Sequence, residues 1–529
     1  MHGVAFLIAA AAVALLLARR LKLPPIPVLI LVGVGLGLAA PMPAAAVEDA
    51  LVLGATFLLF LAGLELDPRR MRAQTRAAVQ VGSVHFVVLA AASFVAARVM
   101  GFTSAEASYV ALALAASSTL VGVRLLKSRK QTYEPFGRLV LGVLLLQDLL
   151  VLASIPLLGG IGDPHAAVTG LIGVTAMGGA AVMVRLWLTS HLLKIADDAE
   201  LVLLTTLGLL FAFLALGSWI GLPTVVGAFF AGVSLASFPV NGIVRVEMAP
   251  VGDFFMAIFF TALGAIVRIP SATETVQALL LGALVILITI PLVTVLAERA
   301  GFPAKSAIET GLLLSQTSEI SLVIGLAGML QGDLNQGTFT VITLVTVGTM
   351  LLTPILATDR VAWWLMRGNP ARRRLQNEEI PTGHVLLLGA GSTGMPVLET
   401  LVIAGVEAVV VDDDPAVLAG LRDSGIRTLR GDGADRVVLR RAGADRARVV
   451  ISTLRRARDN GALLEIARGV PTLVRVFEAA DAHWVRERGG IPVLYSEATA
   501  DALMEWFDDV EEDLRSLAAV RAGDVPVSA

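Results

Sequence analysis

A series of long apolar runs fills residues 1 to about 366 and then stops. Crossing the hydrocarbon core of a bilayer takes about 20 apolar residues in a helix. Inside that core every backbone group must be satisfied by the chain itself. This half is therefore expected to be a bundle of membrane helices. Thirteen runs can be read, at about 3–18, 26–40, 47–65, 78–97, 105–123, 137–158, 165–187, 199–218, 222–237, 249–267, 275–297, 304–330 and 337–358. Several are short or broken by Gly and Pro. From about residue 367 the chain has ordinary soluble composition, so the overall 56% hydrophobic content averages two unlike parts.

The loops between the runs alternate in charge. One set carries seventeen Lys and Arg, among them Arg19, Arg20, Lys22, Arg69, Arg70, Arg72, Arg76, Arg124, Lys127, Arg129 and Lys130. The other set holds only Arg98 and Arg268. The positive-inside rule then predicts an external N-terminus and a cytoplasmic C-terminus. An odd number of spans requires the same. The first run lacks a basic n-region and a small-residue cleavage site, so it reads as a span and not a cleaved leader. Cys is absent, which excludes disulfides, thiolate catalysis and Cys-based metal sites. The six His form no metal-binding spacing, and a net charge of −3 gives no case for a nucleic-acid partner.

One acid stands inside this apolar sequence. Asp148 follows Gln147 in the sixth run, with apolar residues on both sides. A carboxylate near the middle of a membrane helix costs on the order of 2.5–3.5 kcal/mol on insertion scales and faces protein or water. It is a candidate site for a proton or a small cation; the competing reading is an Asp that only pairs helices. Two polar knots accompany it, Ser117-Ser118-Thr119 in the fifth run and Ser315-Gln316-Thr317-Ser318-Glu319 in the twelfth. Thirteen runs divide as six, one and six, so these knots hold matching places in two halves of opposite topology, as in inverted-repeat transporters. Hydroxyls and amides at such places can satisfy backbone groups where a helix unwinds. The expectation is two crossed, broken helices beside Asp148. Glu65 and Asp67 are expected at a span end beside Arg69 and Arg70. Lys305 could be a site cation, but an interfacial Lys reaching toward water is the preferred reading.

The segments Phe60-Leu-Ala-Gly63-Leu-Glu65-Leu-Asp67, Ala115-Ala-Ser117-Ser118-Thr119, Leu146-Gln147-Asp148-Leu, Gly227-Ala-Phe-Phe-Ala-Gly232 and Phe259-Phe-Thr-Ala-Leu-Gly264 resemble, in order and spacing, the motifs of the monovalent cation:proton antiporter-2 superfamily. The Gln-Asp pair is similar to that of Kef-type potassium/proton members; sodium-type relatives often carry Asp-Asp or Asn-Asp. The twelfth run departs from the family's Gln-x-Gly-Glu-Phe, reading Gln316-Thr317-Ser318-Glu319-Ile320. The resemblance implies a homodimer whose core domain moves against a dimerisation domain in a bacterial-type inner membrane, with a part in pH homeostasis. It implies residues 1–366 as a cation:proton antiporter domain, carrying potassium or, in the alternative, sodium. The expected ion and proton site is Asp148 with Gln147, Ser117, Ser118, Thr119, Ser318 and Glu319. No metal is expected beyond the transported cation. One carboxylate that holds either a proton or a cation makes exchange obligatory, and electroneutral if Asp148 alone titrates.

Residues 367–381 are charged and irregular and read as a linker. After them, residues 384–388 form an apolar strand followed at once by Gly389-Ala-Gly391-Ser392-Thr393-Gly394, a helical run, a second strand at 408–411 and Asp412. That context is the one the dinucleotide fingerprint requires: glycines for the turn and the close phosphate approach, an acid for the ribose. Further strands are expected near 428–429, 448–452, 472–476 and 492–495. With Arg430-Gly431-Asp432 this part, residues 382–510, resembles the RCK (TrkA-N) domain, a Rossmann-like α/β fold. The resemblance implies a cytoplasmic domain that binds an adenine nucleotide, NAD(H) or AMP, at Gly389, Gly391, Ser392, Thr393, Gly394, Asp412 and Asp432. The nucleotide is read as regulatory; a merely stabilising nucleotide is the alternative. No nucleophile–base pair or substrate domain points to an enzyme. An RCK-gated potassium channel would need a Thr-Val-Gly-Tyr-Gly filter, which is missing. Residues 511–529 read as an acidic tail.

Overall fold

The structure is a computed structural model and describes residues 2–21, 23–39, 44–65, 75–129, 131–132, 135–159, 164–194, 198–237, 240–302, 304–366, 382–391, 393–454, 456–497, 500, 504 and 507. The expected linker and acidic tail, Asp67, Arg69, Arg70, Arg72 and Ser392 lie outside the described residues. The chain forms two compact units, one of residues 1–300 and 304–369 and one of residues 301–303 and 370–529.

The first unit is helical: α1 His2–Leu21, α2 Pro25–Ala39, α3 Ala44–Glu65, α4 Thr75–Val99, α5 Ser104–Ala115, α6 Thr119–Ser128, α7 Pro135–Gly159, α8 Pro164–Lys194, α9 Ala199–Trp219, α10 Thr224–Ser234, α11 Val240–Ile266, α12 Ala272–Arg299, α13 Ala304–Leu314, α14 Ile320–Gln331, α15 Gln336–Leu356 and α16 Asp359–Met366. Among the described residues nine spans are long and apolar enough to cross a membrane, counting α5 and α6 as one. Helices α2, α10 and α14 are shorter but apolar. The fifth and twelfth runs are each split in two, as their polar knots predict.

The helices sort into two packed groups. Helices α1, α2, α3, α9, α10 and α11 pack together, and so do α4, α5, α7 and α12 to α15. Small residues set the first group. A Cβ on Gly33 would collide with the Thr261 carbonyl and one on Gly264 with that of Ile30, so α2 and α11 touch backbone to backbone. Gly63 and Gly232 do the same for α3 and α10. Lipid tails are as apolar as side chains, so close backbone packing is what holds membrane helices together. The Gly-containing family motifs of the third, ninth and tenth runs therefore serve packing.

The second unit carries six parallel strands: β1 Val385–Leu388, β2 Ala408–Asp412, β3 Arg427–Arg430, β4 Val449–Ser452, β5 Thr472–Val476 and β6 Ile491–Leu494, in the order β3-β2-β1-β4-β5-β6. Strand β1 is buried throughout and pairs with β2 and β4. The connecting helices include α17 Gly394–Ile403, which follows β1 directly. This is the doubly wound order, and a ligand crevice is expected where β1 and β4 diverge.

Candidate functional site

The two split helices cross at their breaks. Helix α5 ends at Ala115 with Ala116 as an extended C-cap, and Ser118 is extended before α6 begins. Ser318 N–H donates to the Ala116 carbonyl (2.9 Å) and Ser117 Oγ to the Leu314 carbonyl (2.8 Å). Ser321 Oγ also donates to the Ala113 carbonyl. Each knot thus satisfies backbone groups that the other break frees. Ser118 additionally caps α6 by accepting from Val121 N–H.

Asp148, on α7, is 4% exposed and faces this crossing. Thr119 Oγ1 donates to its Oδ2 at 2.8 Å. Ser118 Oγ donates to Glu319 Oε2 at 2.6 Å. Two successive hydroxyls therefore hold one buried carboxylate each. Among the described residues, Asp148 Oδ1 and Gln316 Oε1 are buried without a hydrogen-bond partner. Gln316 stands in the second break, its amide NH2 directed to the Ser118 and Leu313 carbonyls. Oxygens of this kind can replace the hydration shell of a small cation.

The structure brings Ser117, Ser118, Thr119, Asp148, Ser318 and Glu319 together. Gln147 is engaged elsewhere: its Oε1 accepts from Ser117 N–H at 3.1 Å, and its Nε2 lies 2.6 Å from His85 Nδ1. His85, from α4, is fully buried, with Nε2 2.9 Å from Thr289 Oγ1 on α12. Sequence reasoning missed His85 and left Gln316 out of the site. A lone polar residue between Val84 and Phe86 was the available signal for His85. One neighbouring expectation needs correction. Lys305 is buried and lies 4.0 Å from Glu309, so it does not reach toward water; the next acid along α13 draws it inward. Glu65 is the last residue of α3, at a span end as expected, and pairs with Arg245 of α11 at 3.1 Å.

A cavity of about 710 Å³ lies between the two helix groups. Leu120 and Val121, directly after Thr119, line it together with Arg19, Arg124, Asp253 and Met256.

In the second unit Gly389 adopts φ +84°, which only Gly takes freely. A Cβ on Gly394 would collide with the Gly389 carbonyl. Asp412 Oδ2 accepts from Ala390 N–H (2.6 Å) and Oδ1 from Asp414 N–H (2.8 Å). Asp432 Oδ1 accepts from Ala434 N–H at 2.8 Å. Thr393 precedes α17 and makes no side-chain cap, while Met395 N–H in the first turn donates to the Gly391 carbonyl at 2.9 Å. Arg475 of β5, unforeseen from sequence, donates to Thr393 Oγ1 and stacks on Phe477. Asp413 is held up at about 7, first by burial and then by the charges of Asp412, Asp432 and Asp414. The Gly-lined turn leading into the α17 N-terminus fits the close approach of a pyrophosphate.

Residues 7–358 match the family "Sodium/hydrogen exchanger, transmembrane". The chain belongs to this family. It is a multi-span membrane transporter of the exchanger class with a C-terminal soluble domain, and residues 385–505 match the TrkA-N domain. The glutathione-regulated potassium-efflux system protein KefC of Salmonella schwarzengrund is 28% identical over 449 residues, 82% of this chain and 72% of that one. KefC of Salmonella typhi is equally similar. The domain order is that of a Kef-type antiporter. The sodium proton antiporter MjNhaP1 of Methanocaldococcus jannaschii shares the membrane fold, with a TM-score of 0.54 at 18% identity over 69% of this chain and 98% of that one.

Proposed function

We propose that this protein exchanges potassium for protons across a bacterial inner membrane, with its N-terminus outside and its soluble domain in the cytoplasm. The observation that carries the reading is Asp148 at the crossing, with Oδ2 bonded to Thr119 and Oδ1 without a partner among the described residues. A buried carboxylate in that state binds either a proton or a cation, because an unpaired charge there is costly. Binding one ligand expels the other, which couples the two flows. Thr119 positions the carboxylate, and Gln316 Oε1 offers a second oxygen to the cation. Ser118 keeps Glu319 occupied, so Asp148 alone exchanges and the cycle is electroneutral. The relatedness to KefC and the Gln147-Asp148 pair favour potassium over sodium. The protein acts as a homodimer in which one helix group moves against the other.

The soluble domain binds an adenine nucleotide, NAD(H) or AMP, through Gly389, Gly391, Gly394 and the α17 N-terminus, with Asp412 shaping the turn. Bound nucleotide changes transport by differential affinity for two conformations. Proteoliposomes loaded with a pH dye and challenged with potassium, sodium, rubidium and lithium in turn test the whole reading. Proton movement driven by sodium but not potassium would reverse the ion assignment, and a cation response without proton movement would reject exchange.

A further inference from the structure

The hydrogen bonds around Gln147 have one self-consistent direction. Ser117 N–H can only donate, so the Gln147 atom 3.1 Å away must be the carbonyl oxygen. The other amide atom is therefore NH2, a donor, 2.6 Å from His85 Nδ1. Nδ1 must then be the bare, accepting nitrogen, and Nε2 carries the proton that is donated to Thr289 Oγ1 at 2.9 Å. The opposite tautomer would set two donors against each other at Gln147. The contact is built into the packing. Gly82, one turn before His85, lets α4 close on Val143 and Leu146 of α7, where a Cβ would press on Leu146.

We propose that His85 is a positioning residue for the exchange at Asp148, an inference that rests on the reading of Asp148 as the exchanging group. As the Nε2–H tautomer it orients Gln147, Gln147 holds the unwound Ser117, and Ser117 places Thr119 against Asp148. Helices α4 and α12 thus fix the geometry of a site to which neither contributes a ligand.

The test has two arms on the full-length protein in lipid. In the first, ¹⁵N spectra of His-labelled protein are compared with those of His85→Asn to isolate the His85 signal. A bare Nδ1 and protonated Nε2 are expected; a protonated Nδ1 overturns the inference whatever transport does. In the second, cation-driven proton movement is measured in proteoliposomes. His85→Phe, which leaves a buried amide without its acceptor, should raise the apparent KM for the cation about tenfold while kcat changes less than about threefold. His85→Asn sets an amide oxygen where Nδ1 stands and should recover most of that KM. An unchanged KM in His85→Phe, or equal impairment in His85→Asn, overturns the inference. If His85→Phe does not fold, the tautomer and the His85→Asn kinetics decide alone. Asp148→Asn is run in parallel; exchange retained there rejects the Asp148 reading, separately from any His85 result.

Discussion

Thr119 and Asp148 come from different helices and meet through one hydrogen bond of 2.8 Å, with the opposite carboxylate oxygen unpartnered among the described residues. Asp148→Asn removes the titratable group but keeps an oxygen for Thr119. The variant should fold, and cation-driven proton movement should fall to background. Thr119→Val leaves the carboxylate without its donor and should raise the apparent KM for the cation about tenfold, in line with the cost of an unsatisfied buried partner. A dye-based transport titration reads both.

Glu319 is held by Ser118 at 2.6 Å and should not exchange its ligand during the cycle. Glu319→Gln keeps an acceptor for Ser118, so exchange should persist and remain electroneutral. A potentiometric dye checks this. A membrane potential that appears in the wild type and vanishes in Glu319→Gln would instead give Glu319 a share of the protons.

The nucleotide site depends on backbone closeness. Gly394→Val drives a side chain into the Gly389 carbonyl and should abolish nucleotide binding by calorimetry on the full protein. Asp412→Ala frees the Ala390 and Asp414 amides and should weaken binding at least about tenfold. Both variants should lose any nucleotide dependence of transport and keep the exchange itself.

Asp413 titrates at about 7 against an ordinary 3.8. Its folded-state affinity for a proton is raised, so its stabilising contribution is complete below about pH 4 and is lost as pH rises through 7. Asp413→Asn stays neutral throughout. Its advantage over the wild type should grow from pH 4 to 7 and then level off, as read by hydrogen exchange of the β1 and β2 amides. A constant difference across that range would mean that Asp413 is not the titrating group.

The sequence by itself determined the run of apolar helices, the two breaks, the placing of Asp148 within one of those helices and the positions of the strands in the soluble domain. These follow from local signals: apolar run length, polar knots in apolar surroundings, and glycines between strand and helix. Tertiary structure alone decided which side chains meet. Gln147 was expected at the ion and instead spans Ser117 and His85, residues 30 and 62 positions away. Ser118 and Glu319 meet across 201 positions. Lys305 turns inward to Glu309, and Gly63 and Gly264 pack helix backbones together. Such partnerships depend on how helices distant in the chain pack and rotate against one another. Helical periodicity marks which face is apolar, but it does not say which neighbour that face will touch.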